Sequence, residues 1–241
     1  KKGQYVEVNN AASIITGYSR EQLLEMTIRD ITAEESMNEA MRCFTSMLDT
    51  GKLSTELKYL HKDGSIRWWT VDAVKISENR FLGFSIDITS KKQAEEELTF
   101  QSRHDYLTGL YNRRYYETEL KRLDIEGQLP LSVITGDING LKLINDAFGH
   151  AEGDKIIIES AMIIQGCCRQ GDILARTGGD EFGIIMPRTD SVTALEVLQN
   201  IQTALIKFDS ENNFEMYQHS VSLGYATKEK IEEDIMYILK T

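Results

Sequence analysis

The sequence predicts an α+β protein with two domains joined by a helical linker, and three observations support this fold class. The chain has 241 residues and a hydrophobic fraction of 41%, which is enough for two cores. Short β-branched runs alternate with helix-forming stretches on both sides of residue 90. Residues 91–102 favour helix and contain neither glycine nor proline. We therefore predict domains over 1–90 and 104–241, a linker over 91–103, and truncation of each domain at the sequence ends.

The first domain is predicted to contain short helices followed by an antiparallel sheet. Ser19 and Gln22 have the spacing of a capping box, so a helix should begin there. Trp68 and Trp69 alternate on a strand, so one is expected in the core while the other faces a partner. The other predicted elements are a strand at 5–9, a helix ending at Gly17, a helix over 36–48 ending at Gly51, and strands over 53–60, 66–74 and 80–88.

The linker is predicted to be one helix that transmits rotation or dimer register to the second domain. Lys, Gln, Ala, Glu and Leu dominate its first eight residues, and all of them are good helix formers. Its apolar positions, Ile88, Ala94 and Leu98, are too sparse to predict a coiled coil by themselves.

The second domain contains an acidic hairpin. Gly178 and Gly179 separate two apolar runs and predict a tight turn, because glycine accepts the positive φ that such turns require. Asp180 and Glu181 follow directly, and a divalent cation would offset the repulsion between these carboxylates. In isolation such a turn is more often simply solvated. The functional interpretation therefore depends on a second acidic strand end.

That second strand end is Asp137, which follows a β-branched run beginning at residue 131. If the two strands are neighbours, Asp137 faces Asp180 and Glu181 across the sheet. Three carboxylates would then form an oxygen-rich site suited to Mg²⁺ that also holds substrate phosphates. Without a counter-charge, the same three groups would crowd unfavourably.

Several polar and aromatic residues follow this strand end. Lys142 offers a mobile positive charge to phosphate oxygens, or is an ordinary solvated lysine. Asn145 and Asp154 flank a loop and a helix start, where their side chains can hydrogen-bond a base edge. Alternatively, Asn145 and Asp146 cap the following helix, which runs on through residues 155–158. His150 either shapes the nucleotide site or anchors the loop, and Phe148 either lines that site or belongs to the core.

Composition limits the function classes. The net charge of −11 argues against nucleic-acid binding. Residues 1–90 carry −2 and the remainder −9, which fits cation dependence in the second domain or a solvated acidic surface. Cys43, Cys167 and Cys168 lack zinc-site spacing and are expected to be reduced thiols of a cytoplasmic protein. No apolar run approaches the roughly 18 residues of a membrane span, so no membrane segment is predicted.

From about Ser102 onward, the sequence resembles the GGDEF family of diguanylate cyclases. Four motifs carry the resemblance, in order and at family-like spacing: residues 104–114, 137–154, 169–172 and 176–182. The resemblance implies a fold related to the nucleotidyl cyclases and the polymerase palm, with a βααββαβ-type core in which helices surround a mainly antiparallel central sheet. It also implies condensation of two GTP into cyclic di-GMP with release of two pyrophosphates.

By position within these motifs, the resemblance implies a role for each candidate residue. Asp137 and the backbone carbonyl of Ile138 would bind Mg²⁺, or Mn²⁺ in its place. Asp180 would be a metal ligand and accept the proton of the 3′-hydroxyl, and Glu181 would support the second metal position. The remaining implied roles are stabilisation of the transferring phosphoryl group by Lys142, hydrogen bonding to guanine by Asn145 and Asp154, and formation of the nucleotide wall by Phe148 and His150.

Arg169 and Asp172 match the spacing of the family's inhibitory site, where intercalated product dimers bind. A guanidinium suits this role because its planar fork holds phosphate or guanine through two hydrogen bonds. The alternative interpretation is a polar helix end beside a turn. The chain departs from the family at Asn139, where many members carry a second acid, and at residues 140–141, where aromatics are common. Because the metal ligand is Asp137, little effect is expected.

Residues 1–90 resemble a PAS domain, an antiparallel sheet with flanking helices, through motifs at 9–12, 17–19, 63–65 and 87–89. PAS domains sense ligands, light or redox state, or only dimerise, and the sequence names no signal. Each cyclase subunit holds one GTP, so the resemblance implies a homodimer. The combined prediction is a PAS-regulated diguanylate cyclase. The alternative is a catalytically idle GGDEF module that binds GTP or cyclic di-GMP and regulates a partner domain.

Overall fold

The computed structural model describes residues 3–212, 218–233 and 235. The chain divides into two compact units, Lys1–Glu97 and Leu98–Thr241. Among the described residues, no helix combines the length and apolar character needed to cross a membrane.

Short helices precede a three-stranded sheet in the described part of the first unit. The strands pair antiparallel in the order β1-β2-β3. The strand prediction for residues 5–9 is wrong, because the segment forms no strand, Val6 lies in a bend, and Asn9 already caps the first helix. The elements are α1 (Asn10–Thr16), α2 (Arg20–Glu25), α3 (Ile28–Ile31), a 3₁₀ turn (Glu34–Ser36), α4 (Met37–Thr50), β1 (Lys52–Leu60), β2 (Ile66–Ser77) and β3 (Arg80–Asp87).

Local signals set the ends of these helices. Asn9 Oδ1 accepts a hydrogen bond from the Ala12 amide, and α1 ends at Gly17, whose φ of 76° is left-handed. The capping box predicted at Ser19 and Gln22 is confirmed. Helix α4 ends at Gly51, as expected. These caps satisfy backbone groups that a helix cannot pair internally, so the sequence marks the helix ends here. The strands predicted over 53–60, 66–74 and 80–88 are confirmed as β1, β2 and β3.

The core of the first unit centres on two stacked aromatic rings. Trp69 is buried and its ring lies 4.4 Å from that of Tyr59. The Tyr59 hydroxyl donates to Asp87 Oδ2 at 2.7 Å, which ties β1 to the end of β3. Trp68 points the other way, with the ammonium groups of Lys58 and Lys92 5.4 and 5.5 Å from its ring. The prediction that one tryptophan fills the core is thus confirmed.

The predicted linker helix is confirmed as α5 (Thr89–Arg103), none of whose residues is buried. Its last turn joins a series of stacked rings in the second unit. The ring of Phe100 lies 4.1 Å from that of His104, and His104 lies 4.6 Å from Tyr111. Tyr111 in turn stacks on Tyr115 at 4.2 Å. This series fixes the end of α5 to the first strand and helix that follow it.

The second unit is built on a mainly antiparallel sheet, described here in the order β4-β6-β7-β5-β8, in which only β4 and β6 run parallel. From β5 to β8 the elements follow the expected βααββαβ order. The elements are β4 (Tyr111–Asn112), α6 (Arg113–Leu123), a 3₁₀ turn (Glu126–Gln128), β5 (Leu131–Ile138), α7 (Leu141–Phe148), α8 (His150–Cys167), β6 (Ile173–Arg176), β7 (Glu181–Met186), α9 (Ser191–Asn212) and β8 (Val221–Lys228).

The central strands β5 and β7 are buried on both faces. Ile134 and Ile184 pack into the core shared with α7, α8 and α9, whereas Val133 and Ile185 pack into the core on the α6 side. Each of these side chains is at most 2% exposed. Packing on both faces of the sheet fixes β5 and β7, so the polar residues at the ends of these strands have little freedom to move.

Candidate active site

The acidic strand ends predicted from the sequence are neighbours in the sheet. Strands β5 and β7 pair antiparallel, with Asp137 opposite Glu181. The Ile138 amide donates to the Asp180 carbonyl oxygen at 3.0 Å, which continues the pairing past the last ladder residue. The three acidic residues therefore lie together at one end of the central strands β5 and β7, which are buried on both faces.

The connection that carries Asp180 differs from the expected tight turn. Neither Gly178 nor Gly179 has a positive φ, so that expectation is wrong. The turn is longer, and the amides of Thr177 and Gly178 approach the Glu181 carbonyl oxygen at 2.9 and 3.4 Å. An added Cβ at Gly178 would lie 3.0 Å from Glu181 Cδ, so the absence of a side chain at Gly178 lets the Glu181 carboxylate lie against the turn.

Arg176 braces this turn, a role that the sequence analysis did not assign. Its Nε and Nη2 atoms donate to the Gly179 carbonyl oxygen at 3.1 and 2.7 Å. Its Nη1 atom lies 3.2 Å from Asp105 Oδ1, in the loop that follows α5. Thr108 Oγ1 also donates to Asp105, at 2.8 Å. The sequence does show an arginine directly before the acidic turn, but it does not reveal the partner Asp105, which is distant in sequence.

The electrostatics of the strand ends favour a bound cation. Partial desolvation, and then the neighbouring charge of Asp180, raise the pKa of Asp137 above its ordinary value. No salt bridge engages Asp137 or Asp180 within the part of the chain that the structure describes. A carboxylate pair that repels itself in this way is stabilised when a positive ion lies between its members.

The donor set fits Mg²⁺ through two carboxylates and a carbonyl. Hard oxygen atoms are the ligands that Mg²⁺ prefers, and its remaining positions are usually filled by water or substrate phosphates. The Glu181 carboxylate lies against Gly178 instead of joining Asp137 and Asp180. Accordingly, no cluster of three or more His, Cys, Asp or Glu side chains suited to a metal ion occurs among the described residues. The Ile138 carbonyl would supply a further oxygen donor to a metal ion bound there.

The candidate base-binding residues meet where α7 and α8 join. The Asn145 side chain packs on Gly153, where an added Cβ would lie 2.8 Å from Asn145 Cγ. Asp154 follows Gly153 directly and is exposed. Helix α8 begins after Gly149 without a side-chain cap, so the alternative that Asn145 caps this helix is wrong. The packing on Gly153 instead brings the Asn145 amide beside the first turn of α8.

The other candidates on α7 and α8 have exposed side chains. Lys142 lies in the first turn of α7 and is exposed. His150 is the exposed first residue of α8. Phe148 ends α7 and is 47% exposed, so the alternative that it belongs to the core is wrong. These positions leave all three side chains accessible to a ligand.

Arg169 and Asp172 contact each other at the far end of α8. Arg169 Nε donates to Asp172 Oδ1 at 3.1 Å, and the Arg169 amide donates to Asp172 Oδ2 at 3.0 Å. Arg169 Nη2 also donates to the Pro187 carbonyl oxygen at 2.7 Å and to Thr189 Oγ1. The Asp172 side chain is only 1% exposed, whereas that of Arg169 is 51% exposed. Arg169 therefore ties down the chain after β7 while presenting half of its surface to solvent.

Family models match both parts of the chain. The model described as diguanylate cyclase, GGDEF domain, matches residues 102–241, and a PAS-fold model matches residues 5–84. Diguanylate cyclase DgcM of Escherichia coli K12 is 32% identical over 239 residues, which are 95% of this chain and 57% of DgcM. The chain thus spans little more than half the length of this relative.

Solved structures give the same assignment. The coiled coil and GGDEF domain of DgcB from Caulobacter crescentus, in complex with c-di-GMP, aligns with a TM-score of 0.56 at 25% identity, covering 64% of this chain and 83% of that one. Diguanylate cyclase SiaD from Pseudomonas aeruginosa, in complex with its activator SiaC, aligns with a TM-score of 0.53 at 25% identity, covering 63% and 59%. The chain therefore belongs to the GGDEF family of diguanylate cyclases and carries a PAS fold before its GGDEF domain.

Proposed function

We propose that this protein is a cytoplasmic diguanylate cyclase that condenses two GTP into cyclic di-GMP and two pyrophosphates. The main support for this proposal is the pair of mutually repelling carboxylates, Asp137 and Asp180, at the ends of adjacent central strands. The family and the DgcM relative support the reaction class. Mg²⁺, or Mn²⁺ in its place, is the proposed cofactor.

Each acidic residue has a distinct task in this proposal. Asp137, Asp180 and the Ile138 carbonyl would hold the metal ions, and Glu181 would turn from Gly178 to support the second position. The bound ions would supply charge neutralisation at the phosphates and a lower pKa for the attacking 3′-hydroxyl. Asp180 accepts the hydroxyl proton, and Lys142 offsets charge on the transferring phosphoryl group.

Guanine recognition is assigned to the junction of α7 and α8. The Asp154 carboxylate accepts hydrogen bonds from guanine N1–H and N2–H₂, and Asn145 adds a second polar contact. Adenine carries an acceptor at N1 and would leave the carboxylate unpaired, which costs on the order of 1–3 kcal/mol. His150 and Phe148 are exposed beside these residues and form the wall of the base site.

Gly153→Ala is expected to weaken GTP binding about fivefold while slightly stabilising α8. The added methyl would displace the Asn145 amide and remove one hydrogen bond, worth about 1 kcal/mol. Alanine is nevertheless the better helix former by about 1 kcal/mol. Calorimetric titration with a non-hydrolysable GTP analogue measures the first effect and thermal unfolding the second. Unchanged affinity for the GTP analogue would show that Asn145 does not contact the base. Gly166→Ala, where a Cβ meets nothing within 4 Å, is the matched control.

Two subunits are needed for the reaction, because each holds one GTP and both 3′-hydroxyls must attack. We propose a homodimer in which the PAS domain, on receiving its signal, controls how the two GGDEF domains meet. Helix α5 is the physical connection, since the ring series from Phe100 to Tyr115 fixes its end to the start of the second unit. The activator bound to SiaD supports control through an associated component.

Product feedback is proposed at Arg169 and Asp172. Arg169→Ala should raise the cyclic di-GMP concentration for half-inhibition about tenfold or more, because a charged hydrogen bond is worth about 1.5–3 kcal/mol. Initial rates at increasing product concentration measure this effect. Lys207→Ala, which removes an exposed cation from α9, is the control. If the two variants are inhibited equally, Arg169 serves only to hold the Pro187 carbonyl.

The decisive test of the function is product formation by the purified protein from GTP and Mg²⁺, analysed by chromatography. Cyclic di-GMP is expected with Mg²⁺ or Mn²⁺ and should disappear when the metal is chelated. Sedimentation in the same buffer establishes whether a dimer is present. A dimer that binds GTP or cyclic di-GMP without turnover would indicate the idle module instead, an alternative that the position of Glu181 away from the other carboxylates supports.

A further inference from the structure

Asn139, one of the positions at which the chain departs from the family, is held by three hydrogen bonds to residues at the start of β8. Its amide donates to the Ser220 carbonyl oxygen at 2.8 Å. Its side-chain Nδ2 donates to Ser220 Oγ at 2.8 Å, and Ser222 Oγ donates to Asn139 Oδ1 at 2.8 Å. The side chain thus uses both ends of its amide group on one neighbouring strand.

The backbone bond from the Asn139 amide sets the direction of the Ile138 carbonyl through the planarity of the peptide bond, and the two side-chain bonds hold Asn139 in place. The Ile138 carbonyl and the Asn139 amide belong to one trans peptide, so they point in opposite directions. Strand β5 lies between β7 and β8, and the Asn139 amide is bound on the β8 side. The Ile138 carbonyl must therefore point towards the β7 side, where Asp180 lies. The Ile138 amide, bound to the Asp180 carbonyl oxygen, already faces that side.

The β8 side of this network is itself anchored in the interior. His219 precedes Ser220 and its side chain is completely buried. Its Nδ1 lies 2.6 Å from Asp209 Oδ1 and its Nε2 lies 3.0 Å from Glu159 Oε2. Contacts to α8 and α9 thus fix the backbone that receives Asn139. The network has a rigid base, as a positioning group requires.

We propose that Asn139 is a positioning residue that aims the Ile138 carbonyl at the metal site formed with Asp137 and Asp180. The inference rests on the proposed function and deepens it. Strands β5 and β8 already pair over eight residues, so the side-chain bonds of Asn139 are not needed to bring the strands together. Their effect is concentrated at the strand end, where a ladder otherwise frays and where the carbonyl must keep one orientation.

The test is binding of Mn²⁺ together with a non-hydrolysable GTP analogue, followed by electron paramagnetic resonance, which requires no turnover. Asn139→Ala should weaken Mn²⁺ binding about 10–100-fold, the usual effect of removing a residue that orients a metal ligand. Asn139→Asp should stay within about threefold of the parent or bind more tightly, because both serine hydroxyls can donate to its carboxylate. Thermal unfolding shows whether each variant is folded. If Asn139→Ala does not fold, Ser222→Ala takes its place, because it is also expected to weaken Mn²⁺ binding.

The outcomes separate the inference from the function on which it rests. Weaker Mn²⁺ binding by Asn139→Ala, with rescue by Asn139→Asp, supports the positioning role. Equal Mn²⁺ binding by the parent and Asn139→Ala overturns that role and leaves the cyclase proposal standing. A parent protein that binds no Mn²⁺ with the nucleotide overturns the metal assignment, and the inference fails with it. A purely structural role would lower the unfolding temperature without a selective change in Mn²⁺ binding.

Discussion

Asp180→Asn is expected to lower cyclic di-GMP formation by at least about 10³-fold, because it removes a metal ligand and the proton acceptor together. Asparagine has nearly the same shape and keeps the backbone carbonyl that accepts from the Ile138 amide. The bonds by which Arg176 braces the turn go to the Gly179 carbonyl and do not involve the Asp180 side chain. The variant should therefore fold normally.

The same substitution should leave the metal-free protein as stable as the parent or slightly more stable at neutral pH. The raised pKa of Asp137 means that the folded state holds this proton more tightly than the unfolded chain does. Stability therefore falls as pH rises from the unfolded-state value of about 3.9 through the higher folded-state pKa. Removing the charge of Asp180 lowers the pKa of Asp137 and reduces this loss. Solvent screening keeps the effect small.

Two measurements check this prediction. Initial rates of product formation give the activity, and unfolding temperatures at pH 4 and pH 7 without metal give the stability. Glu196→Gln, on the exposed side of α9, loses one negative charge away from the site and is the matched control. Product formation by Asp180→Asn within tenfold of the parent would show that Asp180 is not a catalytic residue. A marked drop in unfolding temperature would show that the variant perturbs the turn instead.

Local information was enough to place Asp137 and Asp180 at strand ends, whereas their adjacency was predicted only on the condition that the two strands are neighbours. Each aspartate follows or precedes an apolar run that is long enough to be a buried strand, and the glycines between β6 and β7 mark the reversal. The capping box at Ser19 was predictable for the same reason, since all of its parts lie within four residues. The wrong strand at residues 5–9 shows the limit, because alternation alone does not reveal whether a partner strand exists.

Long-range partners were not predictable from a single sequence. Arg176 meets Asp105 across 71 positions, and His219 meets Glu159 across 60. Nothing in the local pattern marks these residues, since a single arginine or histidine is compatible with many environments. The contact of Asn145 with Gly153 was also missed, although the two are close in sequence. It depends on the angle between α7 and α8, which neither helix specifies by itself.

His219→Ala is expected to be the most destabilising single substitution near the site, at about 3–5 kcal/mol of unfolding free energy. The ring lies between two carboxylates that are themselves largely buried, with 12% of the Asp209 side chain and 19% of the Glu159 side chain exposed. Each ring nitrogen lies within hydrogen-bond distance of one of these carboxylate oxygens. Removing the ring would leave two negative groups in the interior without their shared partner.

Urea unfolding of the parent and His219→Ala measures this effect, and neutralising the carboxylates identifies its cause. In the His219→Ala background, Asp209→Asn with Glu159→Gln should recover a large part of the lost stability, because the uncompensated charges are then absent. A cost below about 1 kcal/mol, or no recovery, would show that His219 contributes mainly packing against Phe208, whose ring lies 5.1 Å away. His219 anchors Ser220, so His219→Ala should also weaken Mn²⁺ binding. A substitution that only opened a cavity would leave the Asn139 hydrogen bonds intact and Mn²⁺ binding unchanged.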